Sequence, residues 1–526
     1  MMKKRFLSIV LLISLCLSGC FQTKNISQME KINSKQMANI TSPFTTTYEV
    51  FLYSFYDSDG DGIGDINGLI EKLPYIEDLG FTSVWMMPIH PSPTYHKYDV
   101  KDYYEIDPQY GTIDDFKNLI AKCNEDNINV IIDLVLNHTS IEHPWFQEAK
   151  AYLESLEDWQ TPSVDECKYI DYYHFSKQLQ TGYARLGNCP YFYEARFWEG
   201  MPDLNLDNPS VKEEIRSIME YWLNLGVAGF RLDAVTSYYT GNSEGNVAFL
   251  RWLTETGKAI KEDCYFVGEA WTNQNEIAKL YESGIDSLFD FPFGNVDGII
   301  HETTLKNIGV DAYVEKQIAE EDYYSSKNPN YINAPFYTNH DMARSAGYYA
   351  GDSDAKVKIS GALNLLMSGN VFIYYGEEIG MKGAGKDENK RAPMQWSNEE
   401  NCLGPKDMDS FEMKYPPLDE QEKDSYSIYN YYKQAIHLRN AFPSIAHGKT
   451  NIIKELSNQD CVVYQKTYGD ETVYIIINLK DEINSIDLSS LEIKELSGVL
   501  QTTEDKIEWK NKQLSIPSYG IAILEK

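Results

Sequence analysis

Basic residues are in short supply: 47 Lys and Arg stand against 79 Asp and Glu in 526 residues, a formal net charge of −32. Such a chain repels a phosphate backbone, so nucleic acid is excluded as a partner, whereas a neutral substrate is compatible with it. Cysteine is scarce, eight in all, and no CxxC pattern points to zinc. The apolar run from Phe6 to Leu17 is too short to span a bilayer comfortably. No repeat of solenoid type is visible. With 43% hydrophobic residues, a chain this long builds a core without help from a metal or disulfide. Cys123 and Cys264 fall in regular elements as buried thiols, while Cys167 and Cys189 share a loop-rich region where a disulfide stays open.

What is present begins with an export segment. Lys3, Lys4 and Arg5 precede the apolar run, which ends in Leu17-Ser18-Gly19-Cys20. This reads as a signal peptide over 1–20 with a lipobox-like end, Cys20 being the expected lipid-bearing residue, in a bacterial protein anchored outside the cytoplasm. Residues 21–46 are polar and read as a flexible tether.

From about 47 to 440, short β-branched and aromatic runs alternate with amphipathic stretches such as Asp114–Asn124, Val211–Leu225 and Val247–Lys261. The runs are Tyr48–Phe55, Phe81–Met87, Asn129–Leu136, Val227–Leu232, Tyr265–Gly268, Ile285–Phe289, Ala334–Tyr337 and Val371–Tyr375. Eight such units predict an α/β fold, a closed (β/α)8 TIM barrel split into 47–138 and 206–440. Residues 139–205 lack clear periodicity, and a structureless loop of that length is implausible, so they are expected to form a small inserted domain after strand 3. After 441, Cys461–Thr467, Thr472–Leu479 and Ser515–Leu524 predict a C-terminal antiparallel β-sandwich domain.

Three carboxylates end three separate apolar runs: Asp233, Glu269 and Asp341. A carboxylate there carries a desolvation cost that packing does not explain, and three together point to one shared site at an end of the barrel. Arg231 and Asp233 point the same way along their strand, so a fixed cation would keep Asp233 ionised. Glu269, between Gly268 and Ala270-Trp271, is expected to hold a proton. A carboxylate nucleophile facing a proton donor is the arrangement of retaining glycoside hydrolysis, with Asp341 placed to stabilise an oxocarbenium-like transition state. Taken singly, Asp233–Arg231 also reads as a structural ion pair, and Glu269 and Asp341 as helix caps. His138 and His340 suit sugar hydroxyls, since imidazole both donates and accepts.

The stretches Asp133-Leu-Val-Leu-Asn-His138, Met201-Pro-Asp-Leu-Asn205, Gly229-Phe-Arg-Leu-Asp233, Gly268-Glu-Ala-Trp271 and Thr338-Asn-His-Asp341 resemble, in order and placement, the α-amylase family, glycoside hydrolase family 13. The resemblance covers roughly residues 47 to 526. It implies Asp233 as nucleophile, Glu269 as general acid/base and Asp341 as transition-state stabiliser. It further implies that Arg231, His138 and His340 contact the catalytic carboxylate or the sugar. Tyr98 would stack on that sugar and Asp99 would make a polar contact to it; rim packing is the other reading of Tyr98.

Asp57-Ser-Asp-Gly-Asp-Gly-Ile-Gly-Asp65 sets carboxylates at alternating positions, where they repel unless a cation sits among them. Asp57, Asp59 and Asp61 match positions one, three and five of a calcium turn, with Gly62 at the bend, the Ile63 carbonyl and Asp65 as further ligands. The twelfth position is Gly68, so this is not an EF-hand. Family members of the oligo-1,6-glucosidase type bind Ca2+ at a similar loop, which implies a structural site.

Met201–Asn205 looks intermediate between oligo-1,6-glucosidases and neopullulanases. Ala234 leans toward α-1,4 bonds, and Thr236-Ser237 replaces the Lys-His of many α-amylases, which puts in doubt their calcium site through Asn137. Lys386–Trp396 resembles a late loop of oligosaccharide-acting members. The expected substrates are therefore malto-oligosaccharides or soluble starch fragments. A glucanotransferase, an α-1,6-acting or sucrose/trehalose-converting relative, and a non-enzymatic surface glucan-binding protein are the alternatives.

Overall fold

The computed structural model describes residues 42–526 apart from 158, 350, 352–353 and 400–401; the signal peptide, Cys20 and most of the expected tether lie outside the described residues. Strands β1 (Thr46–Val50), β2 (Ser83–Met86) and β3 (Asn129–Leu134) open the barrel. An insert follows with β4 (Phe175–Ser176), β5 (Tyr183–Arg185) and β6 (Phe192–Glu194), and the barrel resumes with β7 (Gly229–Leu232), β8 (Tyr265–Gly268), β9 (Ser287–Leu288) and β10 (Val371–Tyr374). The parallel sheet runs β10-β1-β2-β3-β7-β8-β9. Its gap is closed by the expected seventh run, as single parallel bridges of Ala334 to Phe289 and Phe336 to Phe372. The (β/α)8 barrel is therefore complete. Its seventh member is held by isolated bonds, because Pro335 has no N–H to give and only its carbonyl takes part, accepting from Phe372.

Several helices begin at a side-chain cap. Thr112 and Asp115 make a reciprocal capping box for the helix Ile113–Glu125, which buries Phe116, Leu119, Ile120 and Cys123 at helical spacing. Asn208 caps Pro209–Asn224, with Pro at the first position, where a missing N–H costs nothing. β1 starts at Thr46, and Thr45 and Thr46 are already tied to Asn370 and Asn440, so the last residues assigned to the tether belong to the barrel.

The insert after β3 carries a helix, Pro144–Ser155, capped by His143, and a small sheet in the order β4-β6-β5. Cys167 and Cys189 are free thiols, so the disulfide left open by the sequence is absent; Cys189 donates instead to the Leu186 carbonyl.

The C-terminal region holds β11 (Lys449–Ile452), β12 (Cys461–Tyr468), β13 (Glu471–Asn478), β14 (Asn484–Asp487), β15 (Glu495–Leu500), β16 (Glu508–Lys510), β17 (Gln513–Ile516) and β18 (Ile521–Glu525). They form antiparallel sheets β11-β12-β13-β18-β15 and β14-β17-β16. The expected single strand Ser515–Leu524 is two, β17 and β18. A turn at Pro517, with Tyr519 at φ 53°, breaks it and sends the chain from one sheet to the other. Among the described residues no helix is long and apolar enough to cross a membrane.

Candidate active site

The site is built on the C-terminal ends of the barrel strands. β7 pairs with β3 on one side and β8 on the other, which brings Asp133 beside Arg231 and Val267 opposite it. Arg231 is fully buried, and its guanidinium organises the carboxylates. Nη1 donates to Asp233 Oδ1 at 2.7 Å and to Asp133 Oδ1 at 3.0 Å, and Nη2 lies 3.1 Å from Glu269 Oε2. Directly after Asp233 the chain turns at Ala234, with φ 47°, and the Ala234 N–H donates to Glu269 Oε2 at 3.0 Å. Asp233 and Glu269 are thus fixed on the same cation.

Burial is the largest influence on Glu269; it outweighs Arg231 and, with Asp233 and Asp341 nearby, pushes the carboxyl up to about 7. Buried Asp133 is likewise drawn upward by desolvation, opposed by Arg231.

Asp341 stands across the site with both oxygens engaged. Oδ1 accepts from Arg391 Nη2 at 2.8 Å, and Oδ2 lies 3.1 Å from His340 Nε2. Burial works against its charge, but His340, Arg391 and Arg231 together hold it below the ordinary carboxylate range. The His340 Nδ1–H donates to Glu49 Oε1 at 2.6 Å. Burial opposes the charge on His340, yet Asp341 and Glu49 prevail and raise it to about 9, so it stands as an imidazolium at neutral pH.

Tyr98 stacks on His340, with ring centroids 5.6 Å apart, and its hydroxyl meets His340 Nε2 at 2.7 Å and donates to Asp133 at 3.2 Å. His138 is buried; its Nε2 meets the Tyr98 carbonyl at 3.2 Å, and its ring is 5.1 Å from that of Phe197. Asp99 is buried in the same loop and accepts from Ser92 and Thr94. The arrangement therefore gathers Asp233, Glu269, Asp341, Arg231, His340, Tyr98 and His138 and places Asp99 behind them. Reading the sequence missed three members. Glu49 and Asp133 are acids inside apolar strand runs, and Arg391 lies in the late loop Lys386–Trp396; those were the signals available.

The acidic loop after β1 is also assembled. Carboxylate oxygens of Asp57, Asp59 and Asp61 lie within 4.8 Å of one another. No Lys, Arg or His among the described residues pairs with them within 4.0 Å. The loop is wound by its own backbone: Asp57 accepts from Gly60 and Gly62 at 2.7 Å, and the Ile63 N–H donates to Asp61 at 2.8 Å. Burial weighs against the charge of Asp57, but these N–H groups hold it low. A hard, oxygen-seeking cation fits this donor set. Asp65, outside that group of three, caps the helix Ile66–Glu71: Oδ1 accepts from Gly68 at 2.7 Å and from the Ser58 hydroxyl, and Oδ2 accepts from the Ser58 N–H. A helix start has orphan N–H groups that a carboxylate satisfies, and each oxygen keeps a second lone pair.

The model of the α-amylase catalytic domain matches residues 49–448. The chain belongs to the α-amylase family. It is an enzyme of that glycoside-hydrolase type. It is 39% identical over 493 residues to alpha-amylase 3 of Dictyoglomus thermophilum, covering 91% of this chain and 92% of the relative. It is 27% identical over 535 residues to the oligo-1,6-glucosidase of Heyndrickxia coagulans, covering 87% and 95%. Among solved structures, Eubacterium rectale Amy13B superposes with a TM-score of 0.93 at 47% identity, over 95% of this chain and 99% of that one.

Proposed function

We propose that this family member hydrolyses α-1,4-glucosidic bonds of malto-oligosaccharides and soluble starch fragments with retention of configuration. The observation that carries the reading is that one guanidinium, Arg231, holds both Asp233 and Glu269. That restricts the carboxyl separation and favours the roughly 5–5.5 Å of double displacement over the roughly 6.5–9.5 Å that leaves room for a water.

In the first step an Asp233 oxygen attacks C1, the C1–O bond breaks, and Glu269 gives its proton to the departing oxygen. In the second, Glu269 takes a proton from water, the water oxygen attacks C1, and the bond to Asp233 breaks. Asp341, kept anionic by its two cationic neighbours, faces the positive charge that develops between. Ala234 and the similarity to alpha-amylase 3 of Dictyoglomus thermophilum support the α-1,4 choice. Asp57, Asp59 and Asp61 would hold a Ca2+ ion that braces the loop after β1, and Cys20 would carry a lipid anchor outside the cytoplasm.

Following the anomer released from maltoheptaose by NMR tests the reading. Initial release of the α-anomer, lost in Asp233→Asn and Glu269→Gln, is expected; β-anomer release sinks retention. Longer oligomers among the products would favour the glucanotransferase alternative, and panose cleavage the α-1,6 one.

A further inference from the structure

Lys97, one position before Tyr98, has φ 64°, in the left-handed region that an L side chain adopts only at a steric cost. Nine non-glycine residues among the described ones have positive φ, and Lys97 alone of them is buried, so this is not an ordinary surface turn. The interior takes up its ammonium: Nζ lies 2.8 Å from Asp107 Oδ2 and donates to Gln109 Oε1 at 2.7 Å, and both charged side chains are almost without solvent exposure. Asp107 is in turn a fixed point. Its Oδ1 accepts from the Gln109 N–H at 2.9 Å and its Oδ2 from the Ser92 N–H at 3.2 Å. Its own N–H donates at 2.8 Å to the carbonyl of Ile89, three residues past β2.

A glycine would make the same turn without strain, and a buried ion pair is weak evidence for stability, because desolvation offsets most of the attraction. Strain held in place beside a site points to positioning instead. What Lys97 positions is Tyr98. The Tyr98 ring stacks on His340 with 17° between the planes, and its hydroxyl reaches His340, Asp133 and, at 3.3 Å, Arg231 Nη1. Tyr98 thereby bridges the Arg231 group, which holds Asp233 and Glu269, and the His340 group, which holds Asp341. We propose that the buried Lys97–Asp107 pair is a positioning device for the reaction: it fixes the left-handed turn at 97 and so sets Tyr98 between these two groups. Lys97 acts only through Tyr98. The inference rests on the hydrolase reading above for the reaction that is scored. A shift of about 1 Å at a reacting centre can cost about 10²-fold in rate.

The test compares Lys97→Met, Tyr98→Ala and the two together in the full chain, with maltoheptaose as substrate. Lys97→Met should lower kcat at least tenfold and leave KM within threefold, because sugar units away from the cleavage point still bind. Added to Tyr98→Ala, it should cost less than a further twofold, since the residue it acts through is gone. Independently of turnover, the His340 imidazole signals in NMR should move in Lys97→Met toward their positions in Tyr98→Ala, as the stacked ring leaves. Lys97→Met with Asp107→Asn, which leaves no buried charge unpaired, carries the same expectations and replaces Lys97→Met if that variant does not fold. Losses that multiply in the combined variant overturn the proposal, as do unmoved His340 signals or a Lys97→Met enzyme within twofold of the wild type. Failure of both variants to fold makes the pair structural and overturns it too. A wild type that leaves maltoheptaose intact overturns the hydrolase reading instead, and the His340 signals still judge the positioning.

Discussion

Arg231 Nη2 lies 3.1 Å from Glu269 Oε2, yet burial still carries that carboxyl up to about 7. A proton donor must be protonated in the free enzyme, so kcat/KM should fall as pH rises through about 7. Glu269→Gln is expected to cost about 10²–10⁴-fold and to abolish this alkaline limb. A pH–rate profile on maltoheptaose decides; a limb that survives in Glu269→Gln assigns the proton elsewhere.

His340 is an imidazolium because Asp341 and Glu49 flank it. Glu49→Gln should lower its titration point from about 9 toward the ordinary histidine value, visible in the imidazole signals by NMR. Activity should drop at alkaline pH more than at pH 6, where His340 stays charged. An unmoved titration would show that Asp341 alone sustains the charge.

The turn at Asp57, Asp59 and Asp61 should bind calcium more tightly than magnesium, since a cluster of carboxylates suits the larger ion, which takes more oxygen ligands and sheds water more readily. At a hundredfold excess over its Kd the ion contributes about 2.7 kcal/mol. Chelation should therefore lower Tm reversibly by a few degrees, and Asp59→Asn should remove that response. Identical melting with chelator and with calcium would show that the loop holds itself by its backbone bonds.

Behind the barrel, Asp290 and Glu320 are both buried, with Asn333 donating to Asp290 at 2.8 Å and Gln274 to Glu320 at 3.2 Å. No Lys, Arg or His pairs with either within 4.0 Å among the described residues, and Tyr324 is the other titratable group beside Glu320. Burial, then Asp290, raises Glu320 well above the usual value. The folded state thus binds the extra proton: its contribution is full below about pH 4.3 and is lost as pH rises toward the folded value. Glu320→Gln should flatten the decline in Tm as pH rises above the ordinary Glu range. Parallel curves for the two proteins would refute it.

If Cys20 carries the lipid, Cys20→Ser in the full-length chain should move the enzyme from the membrane to the soluble fraction of a bacterial host, with activity retained. Detergent partitioning of the two proteins is the measurement.

The sequence by itself determined the barrel and which acids stand at one end of it. A buried parallel strand is a near-continuous apolar run, so the acids at 233, 269 and 341, just past three such runs, marked one end of the barrel. It could also place an Asp-rich turn, because alternation of carboxylates is local. Tertiary structure decided the rest, through groups distant along the chain. Glu49 charges His340 from 291 positions away, and Arg391 reaches Asp341 from 50. No periodicity encodes such a meeting, because it depends on which strands the barrel sets side by side and how its late loop folds back. Structure likewise gave Asp65 a helix start to cap and split the last expected strand between two sheets at Pro517. In each case an unsatisfied backbone group or a missing N–H outweighed a pattern that read equally well either way.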